Sequence, residues 1–398
     1  MKKTGLIIAI YLSINTMLLA QNPQNAKRGD RKDYSIEQAT SERAQLHTIA
    51  FSGLAFLTGN LGADTFFPPG KVADFFGFQY MRDNDKNEKG HNTDFLTRIA
   101  NNVIQILSKE QLQQLVALAN EQAPLYEQFA RKRIELIKLF RGQLDSGTKI
   151  DQQLAVRLGD TIYALDASLS YRRAVVVGGI INSLTPSQKA ALAKLDFSDS
   201  STWPILPESL DKRSMSHRAH VGVMTYASEL FSWYAGSEKA DVYFCPERHA
   251  TYFGGFFLKD YPAMGNHDYS ISTSLTGDKG RDFLEIIPSE GRLALTKAVE
   301  CQTPLLQEIV RIRLNVSTEL RKAIRNESPD RKKVYDWIVR YGELDVQMSS
   351  TYATVFSQIA KILTPDQKQQ LIKLRNLDVT PRGVYLFSDL IGKDEELK

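Results

Sequence analysis

Thiol, thioether and imidazole side chains gather around the middle of this chain. A cysteine and a histidine stand four residues apart within Cys245–His249, and further histidines lie on both sides. Such side chains are ligands that suit copper or zinc. The candidate ligands are Cys245, His249, Met264, His267, Asp268, His217 and His220. The sequence therefore offers a candidate copper or zinc site.

A structural explanation of the same residues stays open. The strict zinc spacings are absent, and so is the Cys-x-x-Cys-His signature of haem attachment. Cys245 lies between Phe244 and Pro246, and a free cysteine in apolar company is usually a small buried residue. Cys301 is the second of two cysteines, and sequence spacing alone leaves their pairing open.

A polar loop ahead of a predicted helix offers a second kind of site. Oxygen-bearing side chains stand at its first, third, fifth and twelfth positions, which is typical of a calcium loop. These residues are Asp83, Asp85, Asn87 and Asp94. The sixth position is Glu88 where the sharp turn favours glycine. A structural calcium ion and a solvated turn are the two interpretations.

Aromatic side chains are concentrated in two irregular segments that align with each other. The positions taken as a candidate binding surface are Phe66, Phe67, Phe76, Tyr243, Phe244, Tyr252 and Phe253. A doubled aromatic set could line an apolar groove for an unfolded chain, a lipid or a sugar. The alternative is that these rings plug the open end of a helical bundle, since large aromatic residues mostly serve cores.

Patterns of the common catalytic sites are missing. The chain has no Gly-x-Ser-x-Gly elbow, no glycine-rich phosphate loop and no His-Glu-x-x-His pair. An unrecognised hydrolase would need His249 and an acidic partner around one cleft. The pair Arg172-Arg173 is interpreted as a solvated helix face. No catalytic residue is predicted, and the sequence favours a protein that is not an enzyme.

The elements that would position these residues occur twice. Asp64–Asp83 aligns without a gap on Asp241–Asp260 at an offset of 177, and Leu184–Lys189 aligns on Leu363–Lys368 at an offset of 179. Leu165-Asp166 likewise matches Leu344-Asp345 at 179. A repeat of this length has the size of a domain. We therefore predict two tandem homologous units, residues 35–205 and 206–398.

Helix signals fix the class of each unit. Ser108 and Gln111 form a capping box that opens a long helix reaching about Gln143. A second long helix is predicted from about Ile150 to Asn182, and Thr185-Pro-Ser-Gln188 caps a short one. The later half repeats this plan. The predicted fold class is mostly α, with a helical hairpin or bundle in each unit and irregular aromatic loops.

The chain begins with the features of a secretory leader. Residues 1–20 combine Lys2 and Lys3 with a short apolar stretch, so we predict a signal peptide followed by a disordered linker over 21–34. The apolar stretch is shorter than a stable membrane span needs. Without the two lysines, the net charge falls from +4 to +2, which disfavours a nucleic-acid partner. We expect export to the periplasm or medium, and the oligomeric state stays open.

The nine-residue elements Leu184–Leu192 and Leu363–Leu371 resemble the LTxxQ motif of the Spy/CpxP family. That family comprises small exported helical proteins whose long helices form a curved hairpin. The resemblance implies an envelope chaperone or a stress or metal sensor, with unfolded or envelope proteins as partners. The function predicted is an exported, non-enzymatic helical binding protein. The alternative is a copper, zinc or redox protein that uses the loop around Cys245.

Overall fold

The computed structural model describes residues 42–58, 94–195, 202–236, Glu238 and 274–375. This part of the chain is helical and contains no β-strand, which confirms the mostly α class. None of its helices has the length and apolar character to cross a membrane. The helices are α1 Glu42–Thr58, α2 Asp94–Ile106, α3 Lys109–Asp145, α4 Gln152–Asn182, α5 Pro186–Leu192, α6 His217–Ala235, α7 Ser274–Ile286, α8 Ser289–Leu320, α9 Arg331–Ile362 and α10 Pro365–Arg375.

Local side-chain chemistry sets the starts of several helices. Ser108 Oγ accepts from the backbone of Gln111, whose side chain accepts from the backbone of Ser108, and this predicted capping box opens α3. The same reciprocal pair joins Thr364 to Gln367 at the start of α10. By contrast, α8 begins after Pro288 without a side-chain cap. The predicted caps are confirmed because they depend only on residues within one turn.

Aspartates cap the two longest inner helices. Asp151 accepts a hydrogen bond from the backbone N–H of Leu154 at the start of α4. Asp330 accepts from the backbone of Lys332 and Lys333 at the start of α9. These hydrogen bonds help to hold the pKa of Asp330 below its ordinary value, the one from Lys333 contributing most. Both predicted long helices therefore begin at aspartate caps.

The centre of the fold is the packing of α4 against α9. Gly159 faces Val346 and Gly342 faces Tyr163, so residue numbers rise along one helix while they fall along the other. The two helices are therefore antiparallel. α3 packs on the outer side of α4, and α8 packs on that of α9, which gives each half its predicted pair of long helices.

The flanking helices are exchanged between the two halves. α1 precedes the first pair of long helices, yet it packs on α7, α8, α9 and α10, whereas α6 packs on α2 and α3. Gln302 donates to Gln45 of α1 over 2.7 Å, and Tyr226 of α6 donates to Gln122 over 2.6 Å. Gln122 and Gln302 are equivalent at an offset of 180. The described helices of both halves thus share one core, and the predicted unit boundaries stay a prediction.

A pair of arginines holds the ends of the exchanged helices in the same way. Arg141 Nη1 donates to the carbonyl of Phe56 near the end of α1, with the guanidinium 5.1 Å from the ring centroid. Arg321 Nη1 donates to the carbonyl of Trp233 near the end of α6, with the guanidinium 5.6 Å from that ring. The arginines satisfy carbonyls that a helix terminus leaves without partners.

The glutamine of the repeated Leu-Thr-Pro element has a structural task in both halves. Gln188 Nε2 donates to the carbonyl of Ile106 over 2.8 Å, and Gln367 Nε2 donates to the carbonyl of Ile286 over 2.8 Å. Each glutamine therefore caps its own short helix and also binds the last residue of α2 or α7. This double role accounts for the spacing of the element without reference to a ligand.

Candidate functional site

Most residues of the predicted sites lie outside the described part of the chain. This holds for three of the candidate calcium ligands, for five of the candidate transition-metal ligands and for the whole aromatic surface. They are Asp83, Asp85, Asn87, Cys245, His249, Met264, His267, Asp268, Phe66, Phe67, Phe76, Tyr243, Phe244, Tyr252 and Phe253. The copper, zinc and calcium sites therefore stay predictions.

The remaining candidates fall at helix starts. Asp94 begins α2 and His217 begins α6. His220 Nε2 contacts Glu208, whose carboxylate also binds Lys212 over 2.8 Å. Burial disfavours the charged form of Glu208, but hydrogen bonds from Lys212 and His220 outweigh this and hold its pKa below the ordinary value. No group of three or more metal-binding side chains occurs among the residues described.

A buried polar cluster lies between the central helices. Tyr163 of α4 donates its hydroxyl to Asp345 Oδ2 of α9. Arg313 of α8 donates to the Tyr341 hydroxyl over 3.1 Å, and the rings of Tyr163 and Tyr341 meet edge to face at 5.1 Å. Burial raises the pKa of Tyr352 well above its ordinary value, and the nearby Asp345 carboxylate raises it further.

This cluster is closed to solvent. Tyr163, Arg313, Tyr341, Asp345 and Tyr352 are each 0% exposed, so a ligand cannot reach them without parting the helices. Buried polar groups that find partners restrict how two helices can slide past each other. We therefore assign the cluster to fixing the register of α4 against α9.

Another buried ionic contact corrects the interpretation of Arg172-Arg173. Arg172 is exposed and pairs with Glu121 over 3.0 Å, as a solvated face predicts. The prediction is wrong for Arg173, which is 1% exposed and pairs with Glu229 of α6 over 3.3 Å. Its guanidinium also lies 5.9 Å from the ring centroid of Tyr226. The residue type alone predicted an exposed arginine side chain here, but α6 covers this face of α4.

An open groove runs beside this core, along the seam of α4 and α9. Its volume is about 520 Å³, within the range of roughly 300–1,000 Å³ that is usual for ligand sites. We call it the α4–α9 groove. It is lined by the amides of Gln152, Gln347 and Gln358, the hydroxyls of Ser350, Thr351 and Thr354, the side chains of Val156, Val346 and Val355, and the carboxylate of Glu343.

Much of the polar lining of the α4–α9 groove is exposed, whereas the hydroxyl of Ser350 is buried. The amides of Gln152, Gln347 and Gln358 are exposed. Ser350 is 4% exposed, and its buried hydroxyl has no hydrogen-bond partner among the residues that the structure describes. A buried hydroxyl without a partner is unusual in a folded protein and carries a desolvation cost. Val156, 42% exposed, adds apolar surface beside these groups.

The equivalent face at the other end of the helix pair is filled. At the offset of 179, Ser350 corresponds to Tyr171 and Gln152 corresponds to Arg331. Tyr171 donates to the carbonyl of Pro329 over 3.3 Å, and the Arg331 guanidinium lies 6.0 Å from its ring centroid. An aromatic ring thus covers one face where a serine leaves the other open.

Sequence reasoning missed the α4–α9 groove, although one signal of it was present. The two predicted long helices align at an offset of 179, and the exchange of Tyr171 for Ser350 is visible in that alignment. A change from a large ring to a small hydroxyl at equivalent positions marks a place where the two halves differ in shape. Whether the position faces a seam or solvent required the packing of α4 on α9.

Comparisons of the chain with models of protein families, with curated proteins and with solved structures give no match. The resemblance to the Spy/CpxP family stays a prediction that depends on the two nine-residue elements alone.

Proposed function

We propose that this protein is a non-enzymatic binding protein whose α4–α9 groove holds an extended polypeptide segment. The observation that carries the proposal is the open groove at Ser350, on a helix pair whose equivalent face is filled by Tyr171. In line with the predicted leader, we propose that this activity belongs to the exported compartment. The partner we propose there is an unfolded or envelope protein.

The chemistry of the lining favours a polypeptide. A peptide backbone presents both donors and acceptors at each residue, and amide side chains supply both in return. The valines offer apolar contact to side chains that alternate along an extended segment. Glu343 and Gln358 are 15 residues apart on α9, which spans about 22 Å along a helix, enough for about six extended residues.

The chain already binds one of its own segments in this way. Between α5 and α6, residues 204–207 have no regular secondary structure and run along α2. Asn102 Nδ2 donates to the carbonyl of Pro204 over 2.8 Å, and Asn101 Nδ2 donates to that of Leu206 over 3.2 Å. Gln105 donates to the carbonyl of Pro207 over 3.2 Å. Helix-borne amides therefore hold an irregular backbone within this fold.

Two measurements test the proposal. The purified chain is applied to an array of random hexapeptides, and its effect on aggregation of reduced insulin is followed by light scattering. We expect selective binding on the array and suppression of aggregation at equimolar protein. Val156→Gln should weaken both effects, because it replaces apolar surface that the groove offers.

The matched control is Val175→Gln. Val175 is 37% exposed on the same helix, but it lies on the half of α4 that bears Tyr171. This variant should bind as the original chain does. An array without binders, together with unaltered aggregation of insulin, would contradict the proposed function.

A further inference from the structure

A pair of carboxylates stands at one end of the α4–α9 groove. Glu343 of α9 lines the groove, and Asp160 of α4 follows Val156, which also lines it, by one helical turn. Gly159, the residue before Asp160, packs directly on Val346 of the groove wall. Asp160 itself is not a lining residue; it lies one turn beyond Val156 on the same face of α4.

The Asp160 carboxylate lacks a counter-charge or donor at one oxygen. Its Oδ1 is buried and accepts no hydrogen bond from the residues that the structure describes. Burial raises the pKa of Asp160, and repulsion from Glu343 raises it further. A negative group so placed is stabilised by any cation that enters the seam.

Arg340 of α9, which contacts Glu343, makes its hydrogen bonds to residues other than Asp160. Arg340 donates to Glu343 over 2.7 Å and to Glu308 of α8 over 2.8 Å, so one guanidinium already serves two carboxylates. Glu343 thus keeps a fixed position at the groove, while Asp160 receives no hydrogen bond from Arg340. Asp160 therefore still experiences repulsion from Glu343.

The acidic pair occurs only on the open side of the helix pair. At the offset of 179, Asp160 corresponds to Val339 and Glu343 corresponds to Ala164. The face that Tyr171 fills therefore has two apolar residues where the open face has two carboxylates. The open groove and the two carboxylates therefore occur at the same one of two equivalent places. Ser350, whose buried hydroxyl has no partner in the described part of the chain, lines the same groove.

We propose that Asp160 and Glu343 recognise a basic side chain of the polypeptide segment that binds in the α4–α9 groove. This inference depends on the proposed function of the groove. A lysine or arginine placed there would lie against the two carboxylates and relieve the repulsion between them. Hydrogen bonds that involve charged groups are stronger than neutral ones. The two carboxylates would therefore fix the position of the bound segment and make the groove prefer segments with a basic residue.

The test compares peptides that differ in one charge. The tightest hexapeptide from the array is resynthesised with its basic residue replaced by glutamine, and both affinities are measured by fluorescence anisotropy. We expect basic residues to be enriched at one array position and the glutamine analogue to bind about tenfold more weakly. Asp160→Asn should reduce that ratio to about twofold or less, and Glu343→Gln gives a second, independent removal of charge.

The control is Asp336→Asn, which removes an exposed carboxylate from α9 where it pairs with Lys332. It alters the net charge by the same amount, and this variant should keep the full preference for the basic peptide over its glutamine analogue. Binders without a basic residue, or equal affinity of both peptides for the original chain, would overturn the inference and leave the proposed function standing. An array without any binder would overturn both.

Discussion

Tyr163 and Gly342 are equivalent residues of the two halves, and they lie directly against each other where α4 crosses α9. A β-carbon on Gly342 would be 2.5 Å from Cγ of the Tyr163 ring. The ring cannot easily withdraw, because its hydroxyl is bound by Asp345. One half therefore supplies the aromatic side chain and the other supplies the space that receives it.

Gly342→Ala should destabilise the protein. The added methyl group overlaps a ring that is fixed at both ends, and overpacking of this kind costs about 1–3 kcal/mol. Gly179→Ala is the control, since a β-carbon there meets no atom within 4 Å and should be neutral or stabilise by up to about 1 kcal/mol. Urea denaturation followed by circular dichroism measures both. Equal stability of the two variants would contradict the close contact.

Gln367→Ala should loosen the packing of α10 on α7. It removes the hydrogen bond to the carbonyl of Ile286 and the reciprocal bond to the backbone of Thr364, and we expect a loss of about 1–2 kcal/mol. Gln370→Ala, at an exposed position of the same helix, should change stability by less than about 0.5 kcal/mol. The comparison uses denaturation midpoints, and indistinguishable midpoints would argue against the tether.

The buried pair of Arg173 and Glu229 should behave as a coupled unit. Arg173→Met leaves Glu229, 2% exposed, without its partner, and such a change costs about 3–5 kcal/mol. Adding Glu229→Leu should recover much of this loss, because the second apolar side chain removes the isolated charge. A double-mutant cycle in urea gives the coupling. Additive effects of the two substitutions would show that the ions do not depend on each other.

Asp160→Asn should stabilise the protein at neutral pH. Burial and Glu343 raise the pKa of Asp160, so the folded state binds this proton more tightly than the unfolded state. Stability from this group is therefore lost as the pH rises through the raised pKa. The advantage of the variant should shrink at acidic pH, once Asp160 is protonated in both states. Thermal melts across the acidic range measure it.

Glu308→Gln is the control of opposite sign. The hydrogen bond from Arg340 holds the pKa of Glu308 below its ordinary value, so its ionised form stabilises the fold above the unfolded pKa. This variant should be less stable at neutral pH. The charges that act on Glu308 are those of Arg340 and Arg311, and the charge that acts on Asp160 is that of Glu343. A stabilising effect of Glu308→Gln at pH 7 would contradict the assigned signs.

The sequence predicted those parts of the fold that depend on neighbouring residues. The capping boxes at Ser108 and Thr364 and the helices that begin there follow from chemistry within one turn. Such local signals could not indicate which helices pack against each other, because the pattern of one helix does not identify its partner.

The candidate site was beyond sequence reasoning for a related reason. Gly342 and Gly159 look like weak points of a helix until the approach of Tyr163 and Val346 explains them. Ser350 looks like an ordinary polar residue until its hydroxyl is found buried and without a partner in the part of the chain that the structure describes. The role of each glycine depends on a contact between positions about 180 apart in the chain.

Filling the α4–α9 groove tests the central claim most directly. Ser350→Tyr copies the residue that fills the equivalent face, and Tyr171→Ser serves as the reciprocal control because it leaves the groove unchanged. Fluorescence anisotropy with the array-selected peptide should show at least tenfold weaker binding by Ser350→Tyr, while its thermal melt stays cooperative and Tyr171→Ser keeps full affinity. A folded Ser350→Tyr variant that binds the peptide as tightly as the original chain would contradict the account.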